Sequence, residues 1–136
     1  MARELEHPRP IADWETRGYW EGAGRHELVL QRCKQCGSVQ HRPRAQCAKC
    51  FGPVEHFVAS GRGSVYTFTV TEQNQVPPFR DAVPYVLAYV ELEEGPRILT
   101  NVVGCAPDDV RIGMPVRAEF RTSPNDAYGV PVFRPA

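Results

Sequence analysis

Four of the five cysteines form two closely spaced pairs, and this spacing is typical of a metal site. The pairs are Cys33-x-x-Cys36 and Cys47-x-x-Cys50, with ten residues between them. Zn(II) prefers four thiolates in a tetrahedron at about 2.3 Å, and each C-x-x-C turn supplies two of them. Four sulfurs fill the coordination sphere, so no position is left open to activate water. The sequence therefore predicts a structural zinc ribbon.

Spacing alone leaves two alternatives to zinc open. An iron site of the rubredoxin type uses similar spacing, and a redox dithiol needs only one C-x-x-C pair. Gly37 and Gly52 fit the small or left-handed positions of such turns. The segment 32–50 contains five basic residues and no acidic one. These residues would offset the charge of minus two on four thiolates with Zn(II), an explanation that we prefer to phosphate binding.

Few residues outside the two pairs are candidates for catalysis. Cys105 is the remaining cysteine, and a lone cysteine is usually inert and buried. The four histidines show neither Glu-x-x-His nor His-x-His spacing. No combination of nucleophile, base and oxyanion donor is recognisable. The sequence therefore predicts a protein that is not an enzyme on its own.

Residues 10–21 predict a short helix ahead of the ribbon. Ile11, Trp14 and Gly18 recur at helical spacing, and two acidic residues lie in the expected first turn, where the helix dipole favours them. Gly18 weakens this prediction. The aromatic side chains of this segment pack either on their own domain or on a partner protein, where Trp and Tyr are favoured anchors.

The segment after the second cysteine pair has the pattern of an all-β domain. Strands are predicted at 54–59, 64–71, 85–92, 97–103, 115–121 and 130–133. In the strand 85–92 the residues with even numbers form a core face. Tyr85, Leu87 and Tyr89 make the opposite face unusually apolar. Five or so short antiparallel strands favour a small OB-fold barrel.

The predicted fold is mainly β and has three parts. They are an N-terminal helical segment at 1–25, a rubredoxin-like zinc ribbon at 26–53 and a five-stranded OB-fold barrel at 54–136. Sixteen basic and sixteen acidic residues give no net charge, which argues against a dedicated nucleic-acid binder. No apolar run is long enough to span a bilayer. A polar amino terminus without an apolar signal segment favours a cytoplasmic location.

Several segments, spread over nearly the whole chain, form one ordered pattern. They are W-E-G at 20–22, L-V-L-Q-R-C at 28–33, C-G at 36–37, P-R at 43–44, the cysteines at 47 and 50, G-R-G-S-V-Y at 61–66, P-Y-V at 84–86, I-G-M-P-V at 112–116 and F-R-P at 133–135. This pattern resembles the zinc-ribbon plus OB-fold proteins that accompany thiolase-like acyl-CoA enzymes. A C-x-x-C pair alone is a weak signal, whereas this combination is specific.

The resemblance implies a non-catalytic accessory subunit of a complex that makes or breaks carbon-carbon bonds beside a coenzyme A thioester. A retro-aldolase or a thiolase of steroid or lipid degradation is the expected setting. The ratio of 14 Arg to 2 Lys hints at a GC-rich genome and favours the aldolase. The expected cofactors are a structural Zn(II) and a coenzyme A thioester bound mainly by the partner. The expected partner is a thiolase-like dimer carrying two copies of this chain, with any hydratase as a separate polypeptide.

Two sets of residues are candidates for contact with the partner and its cofactor. The interface candidates are Trp14, Tyr19, Trp20, Tyr85 and Tyr89. Arg42, Arg44 and Arg62 are candidates for binding the phosphates of coenzyme A, because guanidinium forks suit phosphate. Ordinary packing and solvated charge are the alternatives for these two sets. As a different function, single-stranded nucleic-acid binding is common among OB-fold barrels.

Overall fold

The computed structural model describes residues 3–136, which form one α-helix and eight strands. The elements are α1 (Arg17–Gly24), β1 (Val29–Cys33), β2 (Val39–Gln40), β3 (Val54–Val58), β4 (Arg62–Thr71), β5 (Tyr85–Leu92), β6 (Arg97–Val102), β7 (Pro115–Thr122) and β8 (Gly129–Pro135). Short 3-10 turns lie at Phe79–Asp81 and Pro107–Asp109. No helix within residues 3–136 has the length and apolar character needed to cross a membrane.

The strands form two sheets. One has three antiparallel strands in the order β2-β1-β3, and the other is a closed barrel in the order β4-β5-β6-β8-β7. Antiparallel pairing of β4 with β7 closes the barrel, and β6 pairs in parallel with β8. A five-stranded barrel with such crossed connections is an OB-fold. The predicted fold class of helix, zinc ribbon and OB-fold barrel is confirmed.

The predicted strand at 54–59 belongs to the ribbon sheet, although the predicted bounds 54–136 grouped it with the barrel. β3 runs antiparallel to β1, with Val54 opposite Cys33 and Val58 opposite Val29. Alternation of buried and exposed residues has the same period in either sheet, so the pattern could not show which partner the strand takes. The barrel strands begin at Arg62.

The helix begins at Arg17, so its predicted start at residue 10 was wrong. Asp13 Oδ1 accepts hydrogen bonds from the Thr16 N–H and hydroxyl at 2.9 and 3.0 Å. The Arg17 N–H donates to Asp13 O at 2.9 Å. A side chain that satisfies the local backbone in this way favours a turn over a helix. The acidic residues therefore lie ahead of the first helical turn, which contains none.

Small residues let α1 pack tightly between the ribbon and the barrel. Ala23 is fully buried. A Cβ atom at Gly22 would overlap the Val29 side chain, and one at Gly24 would overlap the carbonyl oxygen of Ala127. Glycine therefore permits a close approach to β1 on one side and to the β7–β8 connection on the other. The helix fixes the position of the ribbon relative to the barrel.

The core of the molecule lies inside the barrel. The predicted core face of β5 is confirmed, because its four members are at most 3% exposed. The other strands contribute equally buried apolar residues. They include Val65, Ile98, Val116 and Phe133.

Candidate functional site

The four paired cysteines converge on one point. Their Sγ atoms all lie within 4.8 Å of one another. The Sγ atoms of Cys33 and Cys50 are 3.4 Å apart, and those of Cys36 and Cys47 are 3.7 Å apart. A tetrahedral site with metal–sulfur bonds of about 2.3 Å has sulfurs about 3.8 Å apart. The donor set and its spacing therefore fit a Zn(II) ion with four thiolate ligands.

Backbone N–H groups support these sulfurs. The N–H groups of Gln35 and Cys36 both lie 3.3 Å from Cys33 Sγ, and the Lys49 N–H lies 3.3 Å from Cys47 Sγ. Such donors stabilise thiolates and orient them toward a common centre. In both turns the first cysteine accepts from the N–H two residues later, and in the first turn the Cys36 N–H adds a second donor.

The two turns close with one residue each in the left-handed region. These residues are Gly37, with φ of 78°, and Phe51, with φ of 61°. Gly52 does not adopt this conformation and fills a close-packed position instead, where an added Cβ would lie 3.2 Å from Cys50 Sγ. The two predicted glycines therefore serve two different purposes.

Thiol ionisation in the cluster is strongly uneven. The Ser38 hydroxyl and N–H lower the pKa of Cys36 to about 6. At Cys50 the Gly52 N–H lowers the pKa, but hydrogen bonds with the neighbouring sulfurs, Cys33 foremost, and burial outweigh it and raise the pKa to about 12. Four adjacent thiols resist simultaneous ionisation because the thiolates repel one another. A divalent cation would remove this repulsion.

A groove lies where α1, the ribbon and the barrel meet. It consists of two adjoining cavities of about 320 and 260 Å³, which share Trp20, Arg42 and Pro43. Arg44 lines one of them, and Tyr89 lines the other. We call this the junction groove. It brings together five of the predicted partner and phosphate residues, Tyr19 among them, from distant parts of the sequence.

Buried side chains hold the arginine-bearing loop in position. Gln31, only 3% exposed, donates from Nε2 to Arg44 O at 2.9 Å and accepts from the Arg44 N–H at 2.8 Å. Glu15 Oε2 accepts from the Ala45 N–H at 2.9 Å. Gln31 was not among the predicted site residues. The available signal was a polar residue directly after the apolar run Leu28–Leu30.

The predicted interface residues have different environments. Trp14 is 74% exposed and Tyr89 is 45% exposed, as an interface requires. Tyr19 lies in the core at 6% exposure, packed edge-on against the Trp20 ring, so its prediction as a contact residue was wrong. The Tyr85 hydroxyl accepts a hydrogen bond from Asn74, which gives this residue a local role in the β4–β5 loop.

Arg62 is separate from the two arginines of the junction groove. Its guanidinium pairs with Glu93 at 3.1 Å, and the side chain lines another cavity, next to His26 and Phe120.

Cys105 shows no sign of activation, because burial, helped by the charge of Asp109, raises the pKa of its thiol.

The outer face of β5 and β6 is exposed to solvent and yet apolar. Tyr89 lies directly opposite Leu99, which is 54% exposed, and Leu87 adds a further exposed apolar side chain. The Arg97 guanidinium stacks 3.7 Å from the centre of the Tyr66 ring at the edge of this face. An apolar patch of this kind commonly marks a protein contact. Leu99 was missed, although alternation along β6 would have placed it outward.

Comparisons with known proteins agree with this architecture. Residues 20–55 match the family model described as "ChsH2, rubredoxin-like zinc ribbon domain", and residues 58–121 match "ChsH2, C-terminal OB-fold domain". A "DUF35 domain-containing scaffold protein" of Methanocaldococcus jannaschii is 44% identical over 106 residues, which cover 75% of this chain and 73% of that protein. The chain belongs to the DUF35 family.

Two further proteins are similar over most of this chain. A "3-oxo-4,17-pregnadiene-20-carboxyl-CoA hydratase alpha subunit" of Mycobacterium tuberculosis is 42% identical over 118 residues, 86% of this chain and 37% of that protein. A solved chain of "Ltp2-ChsH2(DUF35) aldolase" has a TM-score of 0.82 and 38% identity, covering 93% of this chain and 98% of that one. The present chain spans 37–40% of the length of the hydratase alpha subunits that it matches.

Proposed function

We propose that this chain is a non-catalytic accessory subunit of a thiolase-like, coenzyme A thioester-dependent complex that cleaves or forms carbon-carbon bonds. A retro-aldolase or thiolase of steroid or lipid degradation is the setting that we favour. The observation that carries this proposal is the exposed apolar face around Tyr89 and Leu99. The similarity to the DUF35 chain of an aldolase supports the choice of partner.

The exposed face and the junction groove are proposed to form one continuous contact surface. Tyr89 and Leu99 line the groove and also belong to the face. Trp14 is exposed between Asp13 and Glu15, which line the groove, and we propose that it extends the surface. Large aromatic side chains at the centre of a contact commonly provide most of its binding energy. A thiolase-like dimer would carry two copies, one on each side of its two-fold axis.

Arg42 and Arg44 are proposed to meet the phosphates of the partner's coenzyme A thioester. Both are exposed at the groove, on a loop whose backbone Gln31 holds in place, so binding requires little ordering of the backbone. Arg62 is excluded from this proposal because of its pairing with Glu93.

The ribbon is proposed to hold a structural Zn(II) ion on Cys33, Cys36, Cys47 and Cys50. The ion would supply cross-linking only, because four sulfurs leave no open position. Metal analysis of the purified chain should give one zinc per polypeptide, and Cys47→Ser should lose it together with the cooperative unfolding of the ribbon. Iron in place of zinc would change the metal but keep the architecture.

The experiment that tests the main proposal is co-purification with a thiolase-like protein of the same organism. We expect one complex by size-exclusion chromatography with light scattering, and a thioester-cleaving activity that needs both chains. Leu99→Asp should abolish the complex. The matched control is Ile112→Asp, which changes an apolar residue of 71% exposure outside the patch and should leave the complex intact.

Two results would contradict the proposal. One is separate elution of the two chains with a partner that is fully active alone. The other is turnover of a thioester by the isolated chain.

The charge of the barrel segment does not support a single-stranded nucleic-acid function, since the segment 51–136 contains seven basic and ten acidic residues. A gel shift that weakens with salt would favour it.

A further inference from the structure

A segment without helix or strand crosses one side of the barrel. We call residues 3–10 the N-terminal arm. The Arg3 N–H donates to Asp81 O at 2.8 Å, in the loop that joins β4 to β5. Arg9 Nε donates to Asp126 Oδ2 at 2.7 Å, in the loop that joins β7 to β8. The arm therefore connects two loops that lie far apart in sequence.

These two loops have a special position in the OB-fold. The first joins the first and second strands of the barrel, and the other joins the fourth and fifth. In OB-fold proteins these loops and the face of the second and third strands bind extended ligands. The arm also contacts the third strand, β6, through a hydrogen bond from His7 to Asn101. It thus occupies the place of a ligand.

Between Leu5 and Arg9 the arm contacts the barrel with every second side chain, and Glu4 adds an ion pair with Arg121 of β7. Leu5 is buried at 8% exposure, His7 Nε2 lies 2.8 Å from Asn101 Oδ1, and the Arg9 guanidinium lies 4.4 Å from the centre of the Tyr128 ring. The residues between these three, at positions 6 and 8, are exposed. Alternate side chains entering pockets are the usual way in which an extended peptide is recognised.

One of these contacts has a defined direction. Asn101 Nδ2 donates to Val86 O at 2.9 Å, so its Oδ1 faces His7 as an acceptor. The His7 ring therefore donates from Nε2. The site thus selects a hydrogen-bond donor at the middle position.

The fit of the arm is incomplete. A cavity of about 660 Å³ remains between the arm and the β7–β8 hairpin. Next to it, His7 Nδ1 and Arg121 Nε are buried without a hydrogen-bond partner. Buried polar atoms that lack partners weaken an association. The arm therefore leaves space and polar atoms at this site that another ligand could use.

We propose that the cleft between these two loops is a binding site for an extended peptide, and that the arm is its intramolecular occupant. The peptide carries an apolar side chain, a hydrogen-bond donor and a cation at alternate positions, as Leu5, His7 and Arg9 do. A segment of another protein with this pattern binds when the arm leaves. A tethered occupant acts at an effective concentration of about 1 mM, so the arm keeps weak ligands out.

The test uses full-length chains and a synthetic peptide of residues 3–12 as the probe. In the variant Leu5→Ala/His7→Ala/Arg9→Ala the arm stays attached but loses its three anchors. If the peptide has a Kd of about 0.1 mM, an arm at an effective concentration of about 1 mM weakens its apparent affinity by about tenfold, so amide NMR titration should show binding to this variant about tenfold tighter than to the unmodified chain. Amide signals of Asn101, Arg121 and Tyr128 should shift.

Two controls make the test specific. The variant Glu6→Ala changes an exposed arm residue and should bind the peptide as weakly as the unmodified chain. A peptide with alanine at its three anchor positions should not bind. Equal affinity of both peptides, or no binding by a folded triple variant, would overturn the proposal. Unfolding of the triple variant would also overturn it, because the arm would then be an integral part of the barrel.

Discussion

Gly37 and Phe51 hold the same position in the two cysteine turns. Each is the fourth residue after the first cysteine of its turn, and each donates its N–H to the carbonyl oxygen of that cysteine, at 3.1 and 3.0 Å. Both have left-handed backbone conformations, which cost a residue with a side chain about 1–2 kcal/mol. Glycine avoids this cost in one turn, whereas phenylalanine bears it in the other.

We therefore expect Phe51→Gly to stabilise the metal-loaded chain. The ring is 72% exposed, so few contacts are lost, and the relief of backbone strain exceeds the entropy of about 0.4–1 kcal/mol that glycine adds to the unfolded state. The free energy of unfolding should rise by about 0.5–1 kcal/mol in urea titration. The reciprocal control, Gly37→Ala, should lower it by about 1 kcal/mol. A loss of stability in Phe51→Gly would show that the ring has a packing role.

Substitution by alanine should have different effects on stability at two glycines of α1. At Gly24 a methyl group would overlap the backbone carbonyl of Ala127, which can move only with its loop. Gly24→Ala should therefore lower the free energy of unfolding by about 1–3 kcal/mol.

At Gly18 the nearest atoms belong to the ring of His56, an exposed side chain that can turn away. Gly18→Ala should lower the free energy of unfolding by no more than about 0.5 kcal/mol. It could raise this free energy by up to about 1 kcal/mol, because alanine favours the helix. Thermal unfolding of both variants provides the measurement. Similar destabilisation by the two would mean that the His56 ring is held as firmly as the loop backbone.

The sequence was sufficient for the features that local chemistry determines. The cysteine spacing predicted a metal-binding cluster, and the alternation of β5 predicted its core face, because each depends on neighbouring residues only. The start of α1 could not be predicted from periodicity, since the Asp13 side chain competes for the backbone N–H groups. The partner of β3 and the burial of Tyr19 depend on packing between distant segments, which no local pattern contains.

The junction groove shows the same limit for function. Its arginines and aromatic residues were recognised singly, but the sequence did not indicate that Arg42 and Arg44 adjoin Tyr89 while Arg62 lies elsewhere. That arrangement follows from Gln31, whose amide bonds the loop of Arg44 to the buried side of β1. A buried amide can fix a loop in this way only after the chain has folded.

His41 should make the stability of the protein decrease with acid. Burial, reinforced by the charge of Arg42, lowers the pKa of its ring from 6.5 to about 4. The unfolded chain therefore binds a proton between pH 6.5 and 4 that the folded chain does not bind, and stability falls as the pH decreases through this range. The full difference corresponds to roughly 3 kcal/mol.

The measurement compares the unmodified chain with His41→Phe in urea at pH 7.5 and pH 5.5, with excess zinc in both. Acid also affects carboxylates and metal binding, but these contributions are common to the two proteins. The variant should lose less stability than the unmodified chain between the two pH values. An equal loss in both would show that the ring is protonated in the folded state.

Trp14 and Tyr19 lie five residues apart and should separate partner binding from folding. Trp14 is 74% exposed, whereas Tyr19 is 6% exposed and packs against Trp20 and His41. Trp14→Ala should change the free energy of unfolding by less than about 0.5 kcal/mol. Tyr19→Ala should lower it by about 3–5 kcal/mol, as expected for the loss of a buried aromatic ring.

For affinity toward the thiolase-like partner, position 14 should matter more than position 19. The comparison uses variants that remain folded. Trp is the residue type most often found to contribute about 2 kcal/mol or more at a protein contact, so Trp14→Ala should weaken the complex by about thirtyfold. Folded Tyr19→Phe, which keeps the ring and removes the hydroxyl, should bind as the unmodified chain does. Surface plasmon resonance with the immobilised partner provides both values. Unchanged affinity in Trp14→Ala would remove this residue from the contact surface and confine the interface to the barrel face around Tyr89 and Leu99.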